Sequence, residues 1–200
     1  MATLETKDLF MKCLAGATAA VQQVSPDEFE KPTPDTEWTV RDLAGHLLYE
    51  LAWVADIVNG KTMEEVGTQY DGDLIAGRLQ DNWQLTADRA TVAVEAADLE
   101  GTAHLSYGTV TVRDYLEQIA ADLLIHAWDL STALGQPLQF ENEVAQYVYD
   151  YTLPRQDDLK QSGLFAEAVQ VPDDAELQTK LLALYGRDRT AQEARFKASA

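Results

Sequence analysis

Residues 111–135, TVRDYLEQIAADLLIHAWDLSTALG, decide the fold because they carry the signals of a long amphipathic helix. Their apolar side chains recur at the three- and four-residue spacing of one helical face: Val112, Tyr115, Ile119 and Leu123. Thr111 is a favourable N-cap residue, and Gly135 is typical of a helix end. The stretch therefore predicts a helix over residues 112–134.

Helical periodicity also runs through most of the chain on either side of this stretch. It predicts further helices over residues 4–23, 39–59, 73–98, 141–153 and 174–185. Residues 25–38 and 155–173 are predicted loops, and residues 101–110 an irregular loop or a short hairpin. The polar tail, residues 187–200, either frays or forms one more helix. Long helices with short connections are typical of an up-and-down four-helix bundle, so we predict an all-α fold.

Composition and charge exclude several classes of partner. The chain has 200 residues, with 15 Lys and Arg against 34 Asp and Glu, and so a formal net charge of −19. A field of this sign repels phosphate backbones and anionic lipid surfaces, so we expect neither a nucleic-acid nor a membrane partner. The single cysteine, Cys13, lies in an apolar helical pattern and is expected to be buried and inert. The first residues lack a secretory signal pattern, so we expect a cytoplasmic protein.

Two of the three histidines fall on predicted core helices. The same four residues, Thr-Val-Arg-Asp, open the helix that begins after Thr39 and the helix that begins after Thr111. In each case the threonine caps the helix, and an acid three residues later forms a variant of the capping box. Because both helices start in the same way, the direction of each side chain around its helix axis can be compared by counting about 100° per residue from the threonine. By that measure His46, Asp122 and His126 all point towards the core or its edge.

Two imidazoles and one carboxylate that converge inside a bundle are the ligand set of a metal site with an open position. We therefore predict His46, Asp122 and His126 as ligands. Zn²⁺, Ni²⁺, Fe²⁺, Co²⁺ and Mn²⁺ all suit these donors. The spacing also suits a hydrogen-bonded His–Asp pair without any metal.

Three further polar residues near these positions keep two roles open. Glu50 is either a fourth ligand or a hydrogen-bonding neighbour of the ligands. His104 is either a surface or loop histidine or a residue that contacts the metal or the substrate. Asp129 either orients the imidazole of His126 or faces solvent.

Two motifs around these residues resemble a known family. Residues 37–46, EWTVRDLAGH, are similar to the opening motif of the mycothiol-dependent maleylpyruvate isomerase metal-binding domains, within the DinB/YfiT-like superfamily. Residues 122–130, DLLIHAWDL, resemble the second motif of that family. Residues 165–174 and 181–187 resemble the end of an actinobacterial branch of uncharacterised members. At Asp122 the chain departs from the isomerase, which has Glu there and which also carries a further C-terminal domain.

The resemblance implies a DinB-like four-helix bundle with an extra C-terminal helical segment. We expect a metal-binding bundle over residues 1–160 and an extension over residues 161–200 packed on the same domain. It also implies that His46, Asp122 and His126 hold Zn²⁺, that the ion binds a low-molecular-weight thiol such as mycothiol, and that a homodimer forms.

Three hypotheses of function follow. The first is a metalloenzyme that activates a thiol for transfer to, or isomerisation of, a small electrophile. The alternative is a non-catalytic metal-binding bundle that acts as a sensor or scaffold. The third is a metal-free helical interaction protein.

Overall fold

Four helices of the computed structural model form the bundle. The structure describes residues 4–35, 37–76, 78–162 and 166–198. The four bundle helices are α1 (Thr6–Val21), α2 (Val40–Val58), α4 (Leu79–Ala96) and α5 (Val112–Ala133). Helix α1 packs against α4 and α5, and α2 packs against the same two helices. The all-α prediction and the four-helix bundle are therefore confirmed.

Smaller elements surround the bundle. They are α3 (Met63–Val66), the strands β1 (Thr102–Leu105) and β2 (Gly108–Thr111), α6 (Asn142–Thr152), α7 (Gln156–Ser162), α8 (Leu177–Leu184) and α9 (Arg189–Lys197). The two strands pair antiparallel, so the stretch predicted as an irregular loop or hairpin is a hairpin. Helix α8 packs on α6, and α9 packs on both α5 and α8. Among the described residues, none of the helices has the length and apolarity needed to cross a membrane.

Two predicted boundaries are wrong, each for a local reason. The helix predicted from residue 73 begins at Leu79, because the carboxylate of Asp73 accepts hydrogen bonds from the amides of Ile75 and Ala76 and closes a turn instead. The loop predicted from residue 155 contains α7, whose sequence QDDLKQS lacks an apolar period. The predicted tail contains helix α9. Predictions that fall on residues 1–3, 36, 77, 163–165 and 199–200 lie outside the described residues.

The repeated helix start is confirmed at both positions. The hydroxyl of Thr39 accepts the amide of Asp42, and the Asp42 carboxylate accepts the amide of Thr39, so the capping box is complete. At the second start the hydroxyl of Thr111 accepts the amide of Asp114 at 3.0 Å and donates to its carboxylate at 2.6 Å. Thr111 is also the last residue of β2, where it pairs with Thr102.

The core of the bundle fixes the facing positions of α2 and α5. The leucines of α2 at positions 43, 47, 48 and 51 are at most 2% exposed, as are Leu116 and Leu123 of α5. These side chains pack the two helices against each other and set the rotation of each about its axis. Polar residues on the same faces are consequently held opposite one another. Cys13 of α1 is buried in the same core, as expected.

Candidate metal centre

The three predicted ligands converge between α2 and α5. His46 lies on α2, while Asp122 and His126 lie one turn apart on α5. One ligand atom from each of the three side chains lies within 4.8 Å of the other two. The structure therefore brings together all three residues that the sequence predicted as ligands.

Two contacts of Asp122, one from each of its oxygens, have the spacing of neighbouring ligand atoms around a tetrahedral ion. Oδ2 of Asp122 lies 3.4 Å from Nε2 of His46, and Oδ1 of Asp122 lies 3.4 Å from Nε2 of His126. Ligand atoms about 2.1 Å from a tetrahedral ion stand roughly 3.4 Å apart. Nε2 of His46 and Oδ2 of Asp122 are buried without a hydrogen-bond partner among the described residues. These residues therefore fit a divalent cation, which would satisfy both atoms.

Charges within the cluster support one another. Burial would raise the pKa of Asp122, but the imidazoles of His126 and His46 outweigh it and hold that pKa below its usual value. Burial would likewise lower the pKa of His46, but Asp122 outweighs it and raises that pKa. Asp122 is accordingly an ionised carboxylate at neutral pH, which is the form that binds a metal.

The indole of Trp38 covers the two imidazoles. Its ring centroid lies 4.7 Å from that of His46 and 5.6 Å from that of His126. Trp38 therefore forms a wall of the site. The next residue, Thr39, is the N-cap of α2, so adjacent residues supply the wall of the site and the start of the helix.

Asp129 forms a hydrogen bond with the second ring nitrogen of His126, Nδ1. Nδ1 of His126 lies 3.0 Å from Oδ2 of Asp129, whose residue is fully buried. A carboxylate only accepts hydrogen bonds, so Nδ1 donates and Nε2 is turned towards Asp122. Of the two roles left open for Asp129, the structure supports the orienting one.

Sequence reasoning missed the two further charges at this position, Arg187 and Asp35. Nη2 of Arg187 donates to Oδ2 of Asp129 and to Oδ2 of Asp35, each at 2.8 Å. Arg187 is distant in sequence from both motifs, whereas Asp35 lies in the loop just before the first one. The only local signal for Arg187 was its position directly after Gly186, at the end of the helix predicted over residues 174–185.

The other two residues with open roles, Glu50 and His104, are not among the clustered ligand atoms. Glu50 lies one turn after His46, and its pKa is raised by burial and then by the charge of Asp122. Its carboxylate is not among the atoms that lie within 4.8 Å of one another. His104 lies on β1 and interacts electrostatically with Glu65.

The cluster is less enclosed on one side than on the other. The side chains of His46 and Asp122 are 23% and 18% exposed, while that of His126 is 3% exposed. The facing atoms, Nε2 of His46 and Oδ2 of Asp122, are themselves buried.

Comparison with known proteins places this geometry in a family. The model of the mycothiol maleylpyruvate isomerase N-terminal domain matches residues 10–131, which include all three clustered residues and Asp129 but not Arg187. Two uncharacterized proteins of Mycobacterium tuberculosis, MT0763 of strain CDC 1551 / Oshkosh and Rv0738 of strain ATCC 25618 / H37Rv, are each 28% identical over 151 residues. That alignment covers 72% of this chain and 72% of theirs.

Two solved structures share the fold. A mutant of the mycothiol-dependent maleylpyruvate isomerase superposes with a TM-score of 0.62 at 15% identity, over 82% of this chain and 75% of that one. A second structure of that isomerase gives a TM-score of 0.60 at 16% identity, over 78% and 72%.

Proposed function

We propose a function that starts from the family: the chain belongs to the mycothiol maleylpyruvate isomerase N-terminal domain family, and we infer that it binds one divalent metal ion to activate a small thiol. The ligands are His46, Asp122 and His126. The thiol is of low molecular weight, such as mycothiol, and it is transferred to, or promotes the isomerisation of, a small electrophile.

A single observation carries the metal site. Nε2 of His46 and Oδ2 of Asp122 lie 3.4 Å apart, buried and without hydrogen-bond partners in the described part of the chain. A buried polar atom without a partner costs about 1–3 kcal/mol. Here there are two such atoms, one on α2 and one on α5, and they lie next to each other. Such a pair is best explained by a ligand that binds both, and two imidazoles with a carboxylate are donors for Zn²⁺ or a similar ion.

A bound divalent ion would supply Lewis acidity, which lowers the pKa of a thiol that binds beside it. The chain supplies the remaining functions. In this proposal the thiol approaches beside His46 and Asp122, whose side chains are partly exposed, and Trp38 forms a wall against the imidazoles. Glu50 interacts electrostatically with Asp122 and both imidazoles, which makes its carboxylate our candidate to accept the proton that the thiol loses.

The protein's own thiol does not compete for this role. Cys13 is buried on α1, and burial raises the pKa of its thiol far above neutral. A neutral buried thiol is neither a nucleophile nor a metal ligand. The reactive sulfur must therefore come from a second molecule.

The test uses purified, tag-free protein depleted of metal and then titrated with Zn²⁺ or Co²⁺. We expect one equivalent per chain in wild type and none at comparable concentration in His46→Ala. His104→Ala, which alters a histidine outside the cluster, is the matched control and should bind like wild type. Mycothiol added to the Co²⁺ protein should change its visible absorption, because a sulfur ligand alters the coordination of the ion. Turnover of maleylpyruvate should require both the metal and the thiol.

Each result separates the three hypotheses of function. Absence of metal binding in wild type would refute the metal centre and favour the metal-free interaction protein. Metal binding without any response to thiol would favour the non-catalytic sensor or scaffold. A response of the Co²⁺ spectrum to thiol, but no turnover of maleylpyruvate, would retain thiol activation and reject this substrate.

A further inference from the structure

Arg187 reaches the interior through the turn that ends α8. Gly186 adopts a φ of 77°, and the amide of Arg187 returns to the carbonyl of Leu182. A Cβ at position 186 would lie 2.7 Å from Cβ of Ala166, so glycine is required there both for its backbone conformation and for space. The turn directs the side chain of Arg187 inwards, where its residue is only 3% exposed.

All three nitrogens of this guanidinium bond to named acceptors. Nε and Nη2 donate to the two oxygens of Asp129 at 3.2 and 2.8 Å, in the paired geometry that fixes the plane of a carboxylate. Nη2 also donates to Asp35, and Nη1 donates to the carbonyl of Tyr185 at 2.7 Å. Arg187 thus joins the C-terminal segment, α5 and the loop that precedes Trp38.

His126 lies between two clusters of ligand-type atoms. Its Nε2 faces Asp122 in the first cluster, and its Nδ1 faces Asp129 in a second one that also contains Asp35. In the second cluster the positive charge is already supplied by Arg187, whose Nη2 bridges the two carboxylates. The second cluster therefore acts on His126 through a fixed carboxylate, and only the first cluster is left for an ion.

We propose that Arg187 is a positioning residue for the metal centre: its guanidinium fixes Asp129 so that Nδ1 of His126 donates to it and Nε2 is presented to the ion. This inference rests on the proposed function. It assigns a role in the site to the C-terminal segment, which the family match to residues 10–131 does not include.

The test compares Arg187→Met, which keeps much of the length but removes the charge and the donors, with Arg189→Met. Arg189 belongs to the same segment and pairs with Glu176 and Glu193, remote from His126. In Co²⁺ titrations of metal-depleted protein we expect Arg187→Met to bind 10–100-fold more weakly than wild type, the usual effect of losing a partner of a ligand. Arg189→Met should bind like wild type.

A double variant separates positioning from general stability. If Arg187 acts through Asp129, then Arg187→Met should not weaken Co²⁺ binding further in an Asp129→Asn background. Additive losses would overturn the proposal, as would wild-type affinity in a folded Arg187→Met. Should Arg187→Met not fold, Arg187→Lys retains the charge but not the two-nitrogen fork, and wild-type affinity in that variant would overturn the proposal as well.

A measurement without metal distinguishes this inference from the proposed function. The ¹⁵N spectrum of the imidazoles in metal-depleted wild type should show a protonated Nδ1 at His126, and Arg187→Met or Arg187→Lys should perturb it, while Arg189→Met should not. If wild type binds no ion, the proposed function fails, yet this spectrum still decides whether Arg187 positions His126. An unchanged spectrum in both Arg187 variants refutes the positioning role.

Discussion

Oδ2 of Asp122 lies 3.4 Å from Nε2 of His46, and these two buried atoms belong to different helices of the bundle. Without an ion, the two helices face each other there through polar groups that lack hydrogen bonds. An ion that binds both groups would therefore stabilise the packing of α2 on α5, as well as providing the chemistry. Ligand binding and fold stability are coupled at this position.

The first prediction is that Zn²⁺ raises the melting temperature of the metal-depleted protein. At a free concentration 100 times the dissociation constant, binding stabilises the folded state by about 2.7 kcal/mol, which corresponds to roughly 5–10 °C for a domain of this size. His46→Ala should lose this increase while keeping its helical circular dichroism spectrum, because leucines of α2 anchor the helix. His104→Ala should keep it. An equal increase in His46→Ala and wild type would remove His46 from the site.

The second prediction concerns Trp38 as a reporter of the ion. Its indole lies 4.7 Å from the imidazole of His46, so a paramagnetic ion such as Co²⁺ should quench its fluorescence. Trp38→Phe should remove most of the quenching that Co²⁺ causes in wild type. Trp83→Phe is the control, because Trp83 lies on α4 and donates to Thr18 on α1. Similar quenching in Trp38→Phe and wild type would place the ion elsewhere.

The three clustered residues could be predicted because their directions depend on local geometry alone. Thr39 and Thr111 start their helices in the same way, and from each start the rotation per residue fixes where His46, Asp122 and His126 point. Burial of the leucines of α2 and α5 then brings the faces that carry these three residues together. Cap chemistry and helical period were thus sufficient to anticipate this part of the site.

Arg187 and Asp35 could not be predicted in the same way. Arg187 is 58 residues from Asp129, and its side chain reaches that carboxylate only because α8 ends in a glycine turn against the body of the protein. Asp35 lies in the loop before α2, whose path is set by tertiary contacts rather than by a periodic pattern. Charged residues next to a turn are ordinarily exposed, so the local pattern favoured the wrong environment for Arg187.

The third prediction concerns the two threonine caps. Each hydroxyl accepts the amide of the acid three residues later, so Thr39→Ala and Thr111→Ala should each cost about 1 kcal/mol of unfolding free energy. Glu5, the N-cap of α1, makes no side-chain cap bond, and Glu5→Ala should change stability much less. Urea denaturation of the metal-depleted proteins measures all three. Equal losses in the three variants would show that the hydroxyls do not act as caps.

The last prediction concerns an ionised network at the other end of α2. Asp56 is 4% exposed and accepts hydrogen bonds from Tyr70 and from Arg89, while Nζ of Lys61 lies 2.8 Å from its Oδ1. Burial would raise the pKa of Asp56, but these three partners outweigh it and lower that pKa to about 2. A carboxylate with a lowered pKa in the folded state stabilises that state above its unfolded pKa, and the contribution disappears as the pH falls through the folded value.

For Asp56 this window lies between about pH 4 and pH 2, and the contribution at neutral pH is about 2 kcal/mol. Asp56→Asn removes the titrating group but keeps the shape of the side chain. The difference in unfolding free energy between wild type and Asp56→Asn should therefore be greatest at pH 6–7 and shrink by about 2 kcal/mol towards pH 2. Asp88→Asn, at an exposed position on α4 where the carboxylate accepts a hydrogen bond from Gln84, is the matched control, and its difference should change much less over this pH range. A constant difference for Asp56→Asn would mean that the network does not hold a charged carboxylate, and that its four side chains pack as neutral or solvent-screened groups.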